Sequence, residues 1–194
     1  MSFESWPNQI ILIGRTKCGK TSFFFKLLEK YKNEFDIVYV FTTTKFEYVK
    51  YVPEKNIMDY DKLYLMDQFV KPNEMLKKKR RLIVIDNYIG VANLNRTIQG
   101  LFTQGRHNGI SILVISQYIK EIPPVIRTNA SHIFCFKNVP NDFAHLYDYQ
   151  DKFHSKKEFL SYMMDNTQDY DPVLIKNYVD MSGESESVEK YYIQ

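Results

Sequence analysis

Five short apolar runs recur along the chain, with longer segments of helical periodicity between them. The runs are Gln9–Ile13 (QIILI), residues 36–42 (DIVYVFT), Arg81–Ile85 (RLIVI), Ile110–Ser116 (ISILVIS) and residues 132–136 (HIFCF). Each is nearly continuous rather than alternating, the mark of a strand covered on both faces. Helices are expected over Lys20–Tyr31, 73–79 and about 93–107, and residues 140–165 read as two amphipathic helices. Strands alternating with helices predict an α/β fold with a mostly parallel central sheet flanked by helices. Residues 43–73 are mixed and should hold one or two short helices, broken at Lys71-Pro72. Pro123 and Pro124 predict a loop, since neither suits the interior of a regular element. Residues 172–178 fit a strand or a helix equally. The acidic, serine-rich end predicts a flexible tail over 181–194, outside a single domain at 1–180.

The turn after the first run reads GRTKCGKT, from Gly14 to Thr21. This is a complete P-loop between a strand and a helix, the context the motif requires. Gly14 and Gly19 let backbone N–H groups curl around phosphate oxygens. Arg15, Thr16, Lys17 and Cys18 form the body of the loop, and Ser22 follows it. The helix N-terminus adds its partial positive charge at the same place. Lys20 is expected to reach the β- and γ-phosphates, and the Thr21 hydroxyl to ligate Mg²⁺. The triphosphate expected here is ATP.

The run RLIVIDN has the Walker B form, an apolar strand ending in an acidic residue. Asp86 is the second expected Mg²⁺ contact. Asn87 follows, where many related ATPases carry a carboxylate. An amide orients water but takes no proton from it, which weakens the case for fast hydrolysis and leaves nucleotide binding untouched. Gln117 closes the strand Ile110–Ser116, where its amide could meet a γ-phosphate or the attacking water. Arg106 precedes the same strand, at the edge opposite its carboxyl end. It should point away from its own nucleotide and could serve that of a neighbouring subunit, stabilising transition-state charge. Arg127 is a second candidate for that role.

Composition alters this picture little. A chain of 194 residues is long enough for one full core. Its 15 Tyr and 14 Phe fall mostly at core-like positions, which favours biased codon usage over nucleic-acid stacking surfaces. A net charge of +3 demands no polyanionic partner. Cys18 and Cys135 stand in unlike contexts, as in a reducing compartment without a disulfide framework. His107 and His132 lack metal-ligand spacing with either cysteine, so no zinc site is expected. The first residues lack the features of a signal peptide, and no apolar run nears the ~18 residues of a membrane span.

Four blocks in order, GRTKCGKT, LIVIDN, GRHNGISILVISQ and VIRTNASHIFCF, resemble the FtsK–HerA superfamily of P-loop motors, and within it the poxvirus-type genome-packaging ATPases. The resemblance covers about residues 9–136. It implies an ASCE/RecA-like P-loop NTPase that works as a homo-oligomeric ring, a hexamer or pentamer, and threads double-stranded DNA into a preformed capsid. It implies ATP and Mg²⁺, with Lys20 and Thr21 on the phosphates and metal, Asp86 on the metal, Gln117 as γ-phosphate sensor and Arg106 as trans-acting finger. A capsid or membrane protein of the virion is a further candidate partner. The implied location is the host cytoplasm, in a viral factory, or the virion. Asn87 departs from the family's usual acidic residue and leaves the catalytic base unassigned.

The run KKKRR at 77–81 reads first as a solvated helix end, then as a DNA-backbone contact, then as a nuclear address. Lys45 and Lys50 are weaker DNA candidates. Two rival functions remain open at this point. A small-molecule kinase on the same core would need a lid with clustered arginines, which residues 143–165 lack. A non-hydrolysing nucleotide switch or scaffold would suit Asn87.

Overall fold

The computed structural model describes residues 7–66, 79–88, 95–177 and 187–192. The five apolar runs form β1 (Gln9–Ile13), β2 (Ile37–Thr42), β4 (Arg81–Ile85), β5 (Ile110–Ser116) and β6 (His132–Cys135). Three further strands are β3 (Ile57–Asp59), β7 (Val173–Lys176) and β8 (Val188–Lys190). The sheet order is β3-β2-β4-β5-β1-β6-β7-β8. Pairing is parallel from β3 across to β6, and antiparallel from β6 to β7 and from β7 to β8.

Strand pleating splits the core into two layers. Ile11 and Ile13 of β1 face one layer, and Ile10 and Leu12 face the other. Helix α1 (Lys20–Tyr31) covers the second layer with Phe23, Phe24, Leu27 and Leu28, a single apolar stripe at helical spacing. The first layer is covered by α2 (Asn95–Gln104) through Ile98, Leu101 and Phe102, and by α3 (Pro124–Asn129) through Ile126. After a single turn, α4 (Pro140–Phe143), helix α5 (Lys156–Asn166) adds Phe159 and Met163 to it. Ser155 caps α5 by accepting from the Glu158 N–H at 3.5 Å.

Several expectations need correction. Pro124 is not in a loop: it opens α3 at the first helical position, where its missing N–H and fixed φ cost nothing. The mixed stretch holds a strand, β3, as well as 3-10 turns. The expected helix at 93–107 is α2 followed by a 3-10 turn, Gly105–Asn108, which ends at Gly109 with φ of 65°. The ambiguous 172–178 segment contains the antiparallel strand β7. The expected flexible tail is, in its described part, the strand β8 followed by the buried Tyr191. Val188 is fully buried against the sheet, and that apolar contact is what docks the segment.

The basic run is not one solvated face. Arg81 is buried within β4, with its guanidinium donating to the Asn108 carbonyl at 2.8 Å. Arg80 pairs with Glu34 at 3.2 Å and Asp36 at 3.7 Å. Lys79 is exposed, and Lys77 and Lys78 lie outside the described residues, as do residues 73–78 of the expected helix. Lys45 is paired with Asp59 at 2.8 Å.

Candidate nucleotide site

The parallel strands all end at one edge of the sheet, and the P-loop spans that edge. Backbone bonds fix it to both neighbours of β1: Gly14 N–H donates to Ser116 O at 3.3 Å, and Arg15 N–H to Lys137 O at 3.0 Å. Gly14 has no room for a side chain, since a Cβ would lie 2.7 Å from Phe136 Cβ and 2.8 Å from Cys18 Sγ. The loop turns through left-handed conformations at Lys17 (φ 61°) and Gly19 (φ 98°) and then enters α1.

Lys20 is buried, and its ammonium donates to the carbonyls of Gly14 at 2.6 Å and Arg15 at 2.7 Å. Burial pulls its pKa below the usual lysine range, against the opposing pull of Cys18 and the Asp86 carboxylate. Burial likewise pushes the Cys18 thiol up, against the nearby Lys20 charge. The ammonium thus rests in a cradle of neutral carbonyls, short of negative charge. A polyphosphate at the loop would supply that charge.

A cavity of about 410 Å³ borders Arg15 and Thr16 and is walled by Tyr118, Asn138 and Asp142, and two others take in Lys17, Lys20 and Thr21. The larger of these two, about 480 Å³, runs along the start of α1 from Lys17 to Phe23 and Lys26 and is walled by Tyr170 and Asp171. The smaller, about 270 Å³, lies between the P-loop and the ends of β2, β4 and β5. Lys20, Thr21, Asp86, Asn87 and Gln117 all line it. Residues far apart in sequence are therefore brought together by one topological fact, that parallel strands deliver their carboxyl ends to one crevice.

Asp86 is buried and accepts from the Thr42 hydroxyl at 3.2 Å. Tyr48, wholly buried beside it, has its hydroxyl pushed far up by burial first and by the Asp86 charge second, so it stays protonated. Asn87 takes a left-handed φ of 61°, which asparagine tolerates better than most residues. Its side-chain oxygen accepts from Gln117 Nε2 at 3.5 Å, and Gln117 Oε1 accepts from the Thr16 hydroxyl at 3.0 Å. Gln117 thereby links the P-loop to the end of the Walker B strand. Thr21 and Asp86 offer the smaller cavity a hydroxyl and a carboxylate, hard oxygen donors of the kind Mg²⁺ takes alongside phosphate.

The two arginines lie elsewhere. Arg106 is exposed, and its guanidinium donates to the side chain of Gln9 and to the Asn129 carbonyl. Gln9 begins β1 and the P-loop follows its end, so the length of the strand, about 16 Å, separates Arg106 from its own phosphate loop. Arg127 is turned onto its own chain, donating to His145 O at 3.4 Å and lying 5.7 Å from the centre of the Tyr149 ring. Neither contact of Arg127 reaches the P-loop cavities.

Sequence reasoning missed Tyr170, Asp171 and Glu47. Tyr170 and Asp171 follow α5 and carry no motif; only the folded chain sets them beside Gly19, where a Cβ would meet Tyr170 at 3.0 Å. Glu47 left a fainter signal, a carboxylate just beyond the carboxyl end of the strand beside Walker B.

Comparison with known proteins agrees with this architecture. The family model described as Poxvirus A32 protein matches residues 2–189. Uncharacterized protein 075L of Invertebrate iridescent virus 6 is 33% identical over 88 residues, which is 44% of this chain and 34% of that protein. Uncharacterized protein 088R of Invertebrate iridescent virus 3 is 27% identical over 144 residues, 68% of this chain and 55% of that protein. The chain spans about a third to a half of the length of these viral relatives. The genome packaging NTPase B204 from Sulfolobus turreted icosahedral virus 2, in complex with ATP-gammaS, aligns with a TM-score of 0.67 at 16% identity, covering 95% of this chain and 96% of that one. At that identity the likeness is one of fold. A family model that spans nearly the whole chain shows that the chain belongs to the poxvirus A32 protein family.

Proposed function

We propose that this protein hydrolyses ATP with Mg²⁺ and couples the reaction to movement of double-stranded DNA, packaging a viral genome as a ring of identical subunits. The observation that carries the reading is the shared cavity: Lys20 and Thr21 from the P-loop, Asp86 from β4 and Gln117 from β5 all face it. Thr21 and Asp86 would hold the metal, which supplies charge neutralisation for the β- and γ-phosphates when bound. Lys20 exchanges its loop carbonyls for phosphate oxygens. Gln117, already hydrogen-bonded to the loop through Thr16, reports the γ-phosphate to the Walker B end through Asn87. The nucleobase and ribose fall on the other flank, in the larger cavity, where the Tyr170 ring offers a stacking face. B204, of the same fold, is named as a genome packaging NTPase and was captured with ATP-gammaS, which supports the same ligand here.

The test is the ATPase rate with and without double-stranded DNA, on protein whose assembly state is measured in the same buffer. DNA should raise the rate, and the stimulation should fall steeply with salt as counterions compete. Turnover indifferent to DNA would turn the reading toward a kinase or a nucleotide switch. Lys20→Ala should abolish turnover, and an unchanged rate in that variant would remove the P-loop from the chemistry.

A further inference from the structure

We infer that Glu47 is the carboxylate that activates the attacking water, in place of the acidic residue absent at position 87. The inference rests on the ATPase reading above and adds to it the identity of the base. Two carboxylates line the 270 Å³ cavity among its described lining residues, Asp86 and Glu47. Asp86 already accepts from the Thr42 hydroxyl and, on the ATPase reading, would hold the metal with Thr21. Asn87 contributes only an amide. That leaves Glu47 as the group in the cavity able to accept a proton and not already engaged.

The fold explains why this residue reaches the cavity. Strand β2 pairs in parallel with β4, with Phe41 opposite Ile85, so Thr42 and Asp86 lie level at the carboxyl edge. The chain then leaves β2 through Thr43 and Thr44 into a 3-10 turn, Lys45–Glu47. Three bonds hold that turn in place. Thr44 N–H donates to the Thr42 hydroxyl at 3.0 Å, Glu47 N–H to Thr44 O at 3.2 Å, and Tyr48 N–H to Lys45 O at 3.0 Å. Tyr48 is sunk in the core and fixes the far end of the turn. Lys45, the nearest cation in sequence, is engaged by Asp59 at 2.8 Å. Among the described residues, the Glu47 carboxylate has neither an ion-pair nor a hydrogen-bond partner. It is half-buried, open enough to pass a proton to solvent.

The step balances without any further reagent. The water oxygen bonds to the γ-phosphorus as the bond from that phosphorus to the β,γ-bridging oxygen breaks. ADP leaves with the bonding electron pair, and the water proton goes to the Glu47 carboxylate and then to solvent.

Glu47→Gln is the direct test, since it keeps size and removes basicity. Single-turnover hydrolysis of ATP, binding of a fluorescent ATP analogue and thermal melting are measured on wild type and variant, in the presence of Mg²⁺ and double-stranded DNA. The expected result is a loss of about 10²-fold or more in the chemical step, with analogue affinity and melting temperature unchanged. A Glu47→Gln rate within about threefold of wild type would overturn the assignment, the expected loss for a general base being about 10²-fold. Parallel loss of affinity and turnover would overturn it as well, by making Glu47 a support of the binding site. If wild type itself shows no turnover under these conditions, the ATPase reading fails and this inference falls with it; a wild type that turns over alongside an unimpaired variant sinks Glu47 alone.

Discussion

Gly14 shows how little freedom the P-loop leaves its residues. The Cβ of an alanine there would sit 2.7 Å from Phe136 Cβ, a side-chain atom fixed by the core, and 2.8 Å from Cys18 Sγ. Gly14→Ala should therefore displace the loop from β6, destabilise the protein by about 1–3 kcal/mol and lower ATP affinity, which thermal melting and nucleotide titration would measure together. Tyr170 is a contrasting case. It is 74% exposed, so its removal costs little stability. If the base stacks on its ring, Tyr170→Ala should raise KM for ATP about tenfold, as base–aromatic stacking contributes ~1–3 kcal/mol, while kcat stays near wild type. An unchanged KM would place the base elsewhere. The first of these residues was visible in the motif, because the P-loop is a local signature. The second was not, because its closeness to Gly19 depends on how α5 and the sheet edge fold back together.

At the scale of elements, β6 carries a pH liability. His132 is buried beside Ser131 Oγ at 3.0 Å and lies opposite Lys176 of β7. Burial, and then the positive charges of Lys176 and Arg106, pull its pKa down to about 3. The unfolded imidazole titrates near 6.5, so below that pH the unfolded state holds a proton that the folded state refuses. Stability should be insensitive to His132 above pH 6.5 and should fall as pH drops from about 6.5 toward 3, by up to ~1.4 kcal/mol per pH unit. Denaturant melts from pH 7 to 5 check this: His132→Phe should flatten the slope, and an equal slope in both proteins would remove His132 as its source. The strand holding this histidine was legible because HIFCF is a continuous apolar run. So were the other four central strands, for the same reason. The outer strands were not, β3 and β8 at the two edges and β7 beside β8. At three residues, β3 and β8 are too short to show a period, and β7 pairs antiparallel beside a segment that reads as polar tail. What holds β8 is tertiary: Tyr191 packs 5.9 Å from Phe23 of α1 and 5.1 Å from Phe134 of β6. Tyr191→Ala should cost about 3 kcal/mol, in the range for emptying a buried aromatic site, and a thermal melt would show it. Loss of under 0.5 kcal/mol, the usual range for surface positions, would return the segment to the flexible tail that its composition suggests.

For the whole molecule, the decisive question is where the cation for the transition state comes from. Among the described residues, the cavity shared by Thr21, Asp86 and Gln117 is lined by Lys17 and Lys20 and by no arginine. Arg106 is separated from that loop by the length of β1, and Arg127 is bound to His145 and Tyr149. An exposed arginine at the amino edge of the sheet can reach a phosphate only if a second subunit presents its P-loop edge there. The GRHN turn was legible as a candidate because it precedes β5, and the strand direction alone put it at the far edge. The interface that would use it could not be read, because it belongs to an assembly and not to the chain. Complementation decides the matter. Arg106→Ala should lower kcat by about 10³-fold, the lower end of the range for an arginine finger, with nucleotide affinity nearly intact. Lys20→Ala should be inactive by losing its own site while still presenting Arg106. Mixed before assembly, the two should recover turnover, because an interface that joins the Lys20 of one subunit to the Arg106 of the other is whole. The control is each variant alone at the same total concentration, with assembly verified in each sample. Activity that returns only in the mixture requires a site shared between subunits; no recovery in verified mixed assemblies would leave Arg106 with its contacts to Gln9 and Asn129 and no part in the reaction.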